Sequence, residues 1–167
     1  MTISMHQLSV GAFKRGLGSL SAILDKANAY AETRKIEPAA LLLARLAPDM
    51  FHLTRQVQAV SDQARASARL AGLEPLKMED TERSFAELKT RIGRTVDYLE
   101  TLTPAQIDGS EGKMIGVPMG GQTHQINALE YLQRFITPNY YFHLSMVYAI
   151  LRHNGVDVGK RDFLGMR

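Results

Sequence analysis

Cysteine is missing from the 167 residues, and so is tryptophan. Without cysteine there are no disulfides, no thiolate metal sites and no cysteine nucleophile. Charge of one sign is also scarce. Twenty Lys and Arg stand against 17 Asp and Glu, a net charge of +3. The longest basic cluster is the short Gly159-Lys160-Arg161. A nucleic-acid surface shows clustered Lys and Arg, so this balance argues against a nucleic-acid partner. No apolar run approaches the roughly 18 residues that span a bilayer, so no membrane association is expected. The stretch Met1 to His6 lacks the basic region and apolar run of a signal peptide, which makes the cytoplasm the expected compartment.

What is present is ordinary for a folded chain: 45% hydrophobic and 22% charged residues. Length and composition predict a single domain over 1–167. Val10, Phe13, Leu17, Leu20, Leu24 and Ala27 recur at spacings of three and four, which predicts a first helix over Ser4 to Tyr30. Gly11, Gly16 and Gly18 lie inside it. Each costs a helix about 1 kcal/mol relative to Ala, so close approach of a neighbouring helix is expected there. Pro38 suits the first turn of a second helix. Pro48 interrupts or kinks that helix, Met50 to Ala64 continue its stripe, and Gly72 and Pro75 end it. Asp80 is the expected cap of a third helix carrying Phe85, Leu88, Ile92, Val96 and Leu99.

Glycines at 109, 112, 116, 120 and 121 break the pattern. Lys113 to Met119 and Gln122 to Ile126 can pair across Gly120-Gly121 as a short hairpin, with Pro118 on an edge. Leu129 to Ile136 gives a helical turn or two, and Thr137-Pro138 is expected to restart the chain as a cap and first turn. The helix that follows, Asn139 to Asn154, is apolar nearly all round, as a helix buried on more than one side is. The tail is expected to dock through Phe163 and Leu164. The sum is an all-α chain, a four-helix bundle with a short β-hairpin or Gly-rich loop before the last helix.

Chemistry rests on few residues. His143 lies between Phe142 and Leu144 on the most apolar helix, and a buried imidazole needs a hydrogen-bond partner or a metal. His52 falls in a polar line with Asp49, Gln56 and Gln63 at spacings of three, four and seven, which borders the core face of helix two. Metal sites in bundles use ligands four apart on one helix, and Asn139 stands four before His143. His153 is ten residues, about 15 Å, along the helix and cannot join His143. His6 and His124 read as surface residues. Gly11-x-x-x-x-Gly16 lacks the lysine of a phosphate loop, and no Gly-x-Ser-x-Gly elbow occurs.

The run Pro138-Asn139-Tyr140-Tyr141-Phe142-His143, then Ala149 to Gly155 and Gly159 to Gly165, resembles the C-terminal signature of an uncharacterised bacterial domain family in the DinB/YfiT-like superfamily. Leu24 to Ala27, Ala44 to Met50 and Gln56-Val57-Gln58 resemble the same family. The resemblance implies four long helices in up-down-down-up order, often dimeric. It also implies a metal site of three histidines in better-studied members, some of them thiol-dependent transferases or hydrolases. Carried onto this chain, His52 falls near the helix-two ligand, His143 matches the second histidine of the last helix, and Asn139 stands where the first would be. The expected function is a small molecule or a divalent metal (Zn or Ni) bound between helices two and four. The alternative is a non-enzymatic homodimeric stress or binding protein with a degenerate site.

Overall fold

The computed structural model describes residues 3–166, apart from the side chains at positions 118 and 119. Residues 1 and 2, part of the stretch read above for a leader, lie outside the described residues. The chain opens in a π-helical turn, Gln7–Gly11, that runs without a break into α1, Ala12–Arg34. The expected stripe of Phe13, Leu17, Leu20, Leu24 and Ala27 is fully buried. Lys35 ends α1 in the left-handed conformation with φ 53°. Of the three glycines, only Gly16 serves close approach. A Cβ there would overlap the Tyr140 hydroxyl and lie 3.0 Å from its Cε1, whereas one at Gly18 would meet nothing.

The second helix is more broken than its stripe suggests. Helix α2, Pro38–Leu42, stops at once, and residues 43–52 run irregularly before α3, Leu53–Arg65, begins. Pro48 has no N–H to offer a continuing ladder, and the Met50 amide is taken by Ala47 in a turn instead. A 3₁₀ turn, Ala66–Ala71, extends α3 to Gly72, whose φ of 75° closes it.

Helix α4 covers Phe85–Glu100. Its cap is Ser84, whose hydroxyl accepts from the Glu87 amide at 3.2 Å, and not Asp80. The Asp80 carboxylate is drawn to Arg55 and Arg91 at 3.1 and 2.9 Å. A charge-assisted pair with a buried guanidinium outweighs an exposed cap. A short α5, Pro104–Ile107, follows Thr103, a helix that the sequence did not reveal.

Strands β1, Met114–Met119, and β2, Gln122–Asn127, pair antiparallel with Met119 opposite Gln122. Gly120 and Gly121 make the two-residue turn with φ of 57° and 79°, the mirror-image geometry that suits strand twist. Asn127 then caps α6, Ala128–Tyr131, accepting from the Glu130 amide at 2.8 Å. A second π-helical turn, Leu132–Ile136, leads directly into α7, Thr137–His153. The expected restart at Thr137 is therefore absent. The widened turn absorbs Pro138, which would otherwise crowd the preceding residues.

The chain is mostly helical with one small two-stranded sheet. Helix α3 packs on α7 and α4, and α1 packs on α4 and α7. The buried apolar residues form one continuous cluster. Helix α8, Lys160–Leu164, docks on α1. Phe163 turns edge-on to Tyr148 with ring centres 6.0 Å apart, but Leu164 is 48% exposed and does not share in the docking core. Among the described residues no helix is long and apolar enough to cross a membrane.

Candidate functional site

The seam between α3 and α7 carries the imidazole that the sequence set between Phe142 and Leu144. His143 Nδ1 lies 2.7 Å from Oε1 of Gln56. Gln56 is buried at 1% exposure, and its amide nitrogen donates to the Phe51 carbonyl at 3.3 Å. That second bond fixes which way the amide faces. With Oε1 toward the ring, His143 must donate from Nδ1–H, so the neutral imidazole keeps a lone pair on Nε2.

Two aromatic rings frame the imidazole. Phe51 lies nearly parallel to it, with centroids 6.2 Å apart and planes 14° apart. Phe142 meets it edge-on at 5.2 Å. Both rings are about half exposed, Phe51 at 47% and Phe142 at 52%, so the imidazole sits at the mouth of an apolar surface. Arg55 stands on the other contact of Phe51, its guanidinium carbon 5.5 Å from the ring centre. Burial pushes the His143 pKa below the ordinary histidine value, and the Arg55 charge adds to that against the opposing pull of Asp62.

The other two sequence candidates point elsewhere. His52 is the cap of α3, its Nδ1 accepting from the Arg55 amide at 3.3 Å. Its side chain lines a separate hollow of about 310 Å³ with Leu42, Leu43, Thr54 and Glu82. Burial and the Arg45 and Arg55 charges lower its pKa, against a hydrogen bond with the Leu42 backbone. Asn139 is exposed and donates its amide to the Phe135 carbonyl at 2.7 Å, one turn back on its own helix. The residue that faces His143 from the second long helix is thus Gln56, four after His52. Tyr140, three residues before His143, is fully buried against Phe13 and Gly16 of α1.

His6 is part of the fold and no plain surface residue, since its Nε2 lies 2.8 Å from the Leu102 carbonyl. His124 is exposed on β2, and His153 is exposed in the last turn of α7.

A divalent metal needs several ionisable or imidazole donors converging at about 2 Å. Around His143 stand one imidazole and one carboxamide, and the carboxamide oxygen already accepts from the imidazole. Among the described residues no group of three His, Cys, Asp or Glu side chains converges to hold an ion. This donor set does not fit a tight zinc or nickel site.

Sequence reasoning missed the charged cluster beside this seam. Arg91 on α4 is 1% exposed and pairs with Asp62 at 2.9 Å, Asp80 at 2.9 Å and Glu82 at 3.0 Å. Arg65 also pairs with Asp62. The signal available was position alone: Arg91 falls three after Leu88 and one before Ile92, inside a buried stripe.

The chain is mostly helical, with α3 and α7 meeting over the Gln56–His143 pair and a hairpin ahead of the last long helix, and in this it is similar to a DinB-like protein. A DinB family member protein from Shewanella denitrificans, solved by crystallography, superposes on it with a TM-score of 0.89 at 41% identity, covering 96% of this chain and 91% of that one. The family model described as "Domain of unknown function (DUF1993)" matches residues 5–164, and the chain belongs to that family. A comparison with curated proteins finds no match.

Proposed function

We propose that this chain is a single-domain, DinB-type four-helix bundle in up-down-down-up order, and that it binds a small molecule at the α3–α7 seam through His143. The observation that carries the reading is the chain of bonds from Phe51 carbonyl to Gln56 to His143 Nδ1. It orients the ring and leaves Nε2 as the acceptor, in the way an outer partner fixes a functional histidine. The fitting ligand is a small, partly apolar molecule with an O–H or N–H to give to Nε2 and a ring or alkyl face to lay on Phe51 and Phe142. A lowered imidazole pKa keeps the acceptor form available near neutral pH, so the same atom can take a proton from a bound acid. In this reading His52 and Asn139 serve the local backbone and not the ligand.

Phenol is a suitable probe, with one ring and one O–H. Its binding should shift amide signals of Phe51, Gln56, Phe142 and His143, and His143→Ala should abolish those shifts while far-UV circular dichroism stays unchanged. Shifts that survive the substitution, or that fall on other residues, refute the assignment.

The exposed Phe51, Tyr141 and Phe142 favour one further reading, a homodimer built on this same face. Sedimentation of the wild type and of Phe142→Ser separates the two readings, because a dimer on this face would dissociate with the substitution.

A further inference from the structure

Residues 73–83 join the end of the 3₁₀ turn to the cap of α4 and belong to no helix or strand. Between 74 and 83 no backbone-to-backbone hydrogen bond forms among the described residues. No residue from 72 to 84 is fully buried. The segment is therefore tied down by side-chain charges. Asp80 reaches Arg55 and Arg91, Glu82 reaches Arg91 and accepts from Gln58 at 2.8 Å, and Glu74 reaches Arg69 at 3.2 Å. Two backbone carbonyls add to this: Glu79 accepts from Arg91, and Glu74 accepts from Tyr98.

Beneath the segment lies a hollow of about 720 Å³, with Asp62, Arg65 and Arg69 on the bundle side and Glu74 to Glu79 on the other. The bundle face offers Arg55, Arg65, Arg69 and Arg91 against one carboxylate, Asp62. The segment brings four carboxylates, Glu74, Glu79, Asp80 and Glu82, against Lys77 and Arg83. Arg91 is buried with its Nε unpartnered, an unused donor within this cluster.

We propose that residues 73–83 are a releasable acidic strap occupying an anion-binding face made by Arg55, Arg65, Arg69 and Arg91. Its carboxylates stand where a phosphate- or carboxylate-bearing ligand would bind. Two features make release feasible. No strap residue belongs to the buried apolar cluster, so the opening leaves that cluster intact and needs far less than global unfolding. Asp62 stays on α3 with Arg55, Arg65 and Arg91, so the buried guanidinium is never left without a counter-charge. Guanidinium groups match phosphate and carboxylate oxygens in pairs, which sets the ligand class.

The test uses the full chain with Glu82→Gln, and Asp80→Asn as a second variant at a more exposed position. Trypsin should cut after Lys77 at least about tenfold faster in the variants, since each loses charge-assisted bonds that hold the strap. Cutting after Lys89 and Arg94 in α4 should not change. Inorganic phosphate should shift the Nε–H signals of Arg65, Arg69 and Arg91, with a midpoint about tenfold lower in the variants than in the wild type. Unchanged cutting after Lys77 in both variants overturns the proposal. So does cutting that rises equally at all three sites, or a phosphate midpoint that is the same in wild type and variants.

Discussion

Gly16→Ala is the sharpest probe of how α7 is held, because one methyl group meets a single side chain. The new Cβ would occupy the place of the Tyr140 hydroxyl and press on Cε1 and Cζ at 3.0 and 3.1 Å. Tyr140 is fully buried, and its hydroxyl donates to the Phe13 carbonyl at 2.8 Å. To admit the methyl the ring must move and give up that bond. Replacing Gly by Ala in a helix returns about 1 kcal/mol. Overpacking costs about 1–3 kcal/mol, and a buried hydroxyl left without its partner costs about 1–3 kcal/mol more. The net expectation is a loss of about 1–5 kcal/mol, or roughly 2–20 °C in Tm for a chain of this size. Tyr140→Phe alone should cost about 1–1.5 kcal/mol, the hydrogen bond. In the double variant the overlapping atom is gone, so it should be at least about 1 kcal/mol more stable than the sum of the singles, well beyond the roughly 0.5 kcal/mol of ordinary additivity. Urea denaturation followed by far-UV circular dichroism measures all three. A neutral Gly16→Ala, or strict additivity, refutes the contact as the device that clocks α7.

The titrating groups and the carboxamide at the seam give three further outcomes. His143 and His52 both titrate below the ordinary histidine value in the folded chain, so between those lowered values and an unfolded pKa of about 6.5 the unfolded chain binds more protons and stability rises with pH. Stability should thus be level above about pH 7 and fall on acidification through 6.5, with a shallower fall in His143→Gln; an unchanged slope in that variant removes His143 as a cause. Glu82 sits below its ordinary value, because hydrogen bonds from Gln58 and Arg91 overcome the upward push of burial; its contribution is present above about pH 4.5 and lost only as pH falls further, and Glu82→Gln should remove that lower step alone. Gln56→Ala should cost about 1–3 kcal/mol and release the imidazole from one tautomer, seen as averaged ring nitrogen shifts of His143; a ring still protonated solely on Nδ1 would show that Gln56 does not set it.

The helices were legible because their stripes repeat every three to four residues, and the hairpin because Gly120-Gly121 separates two strand-like runs. Local chemistry misled where a distant charge competed. Asp80 has the right side chain for a cap, yet two arginines 25 residues back and 11 residues on claim its carboxylate. Thr137-Pro138 has the grammar of a helix start, but a proline tolerated by a π-helical turn reads the same way from sequence. For the site, it was legible that His143 needs a hydrogen-bond partner, although the ring is half-buried and not enclosed as its apolar neighbours suggest. Its partner was not. His52 and Gln56 lie on the same polar line, and only the break at 43–52 decides that position 52 is spent as a cap while position 56 faces α7.

That break and the second π-helical turn together place the site. A turn closed i to i+5 holds one residue more than an α-turn, which rotates everything beyond it by about 100°. Beyond Leu132–Ile136 the rotation sends Tyr140 to α1, His143 to Gln56 on α3, and Phe142 outward. An unbroken α-turn at the same place would carry the imidazole off the seam and the tyrosine away from Gly16. The widened turn, the missing side chain at Gly16 and the buried carboxamide at Gln56 are therefore one arrangement. The first sets the phase of α7, the second locks it against α1, and the third reads it out as a single imidazole tautomer at the open end of the seam.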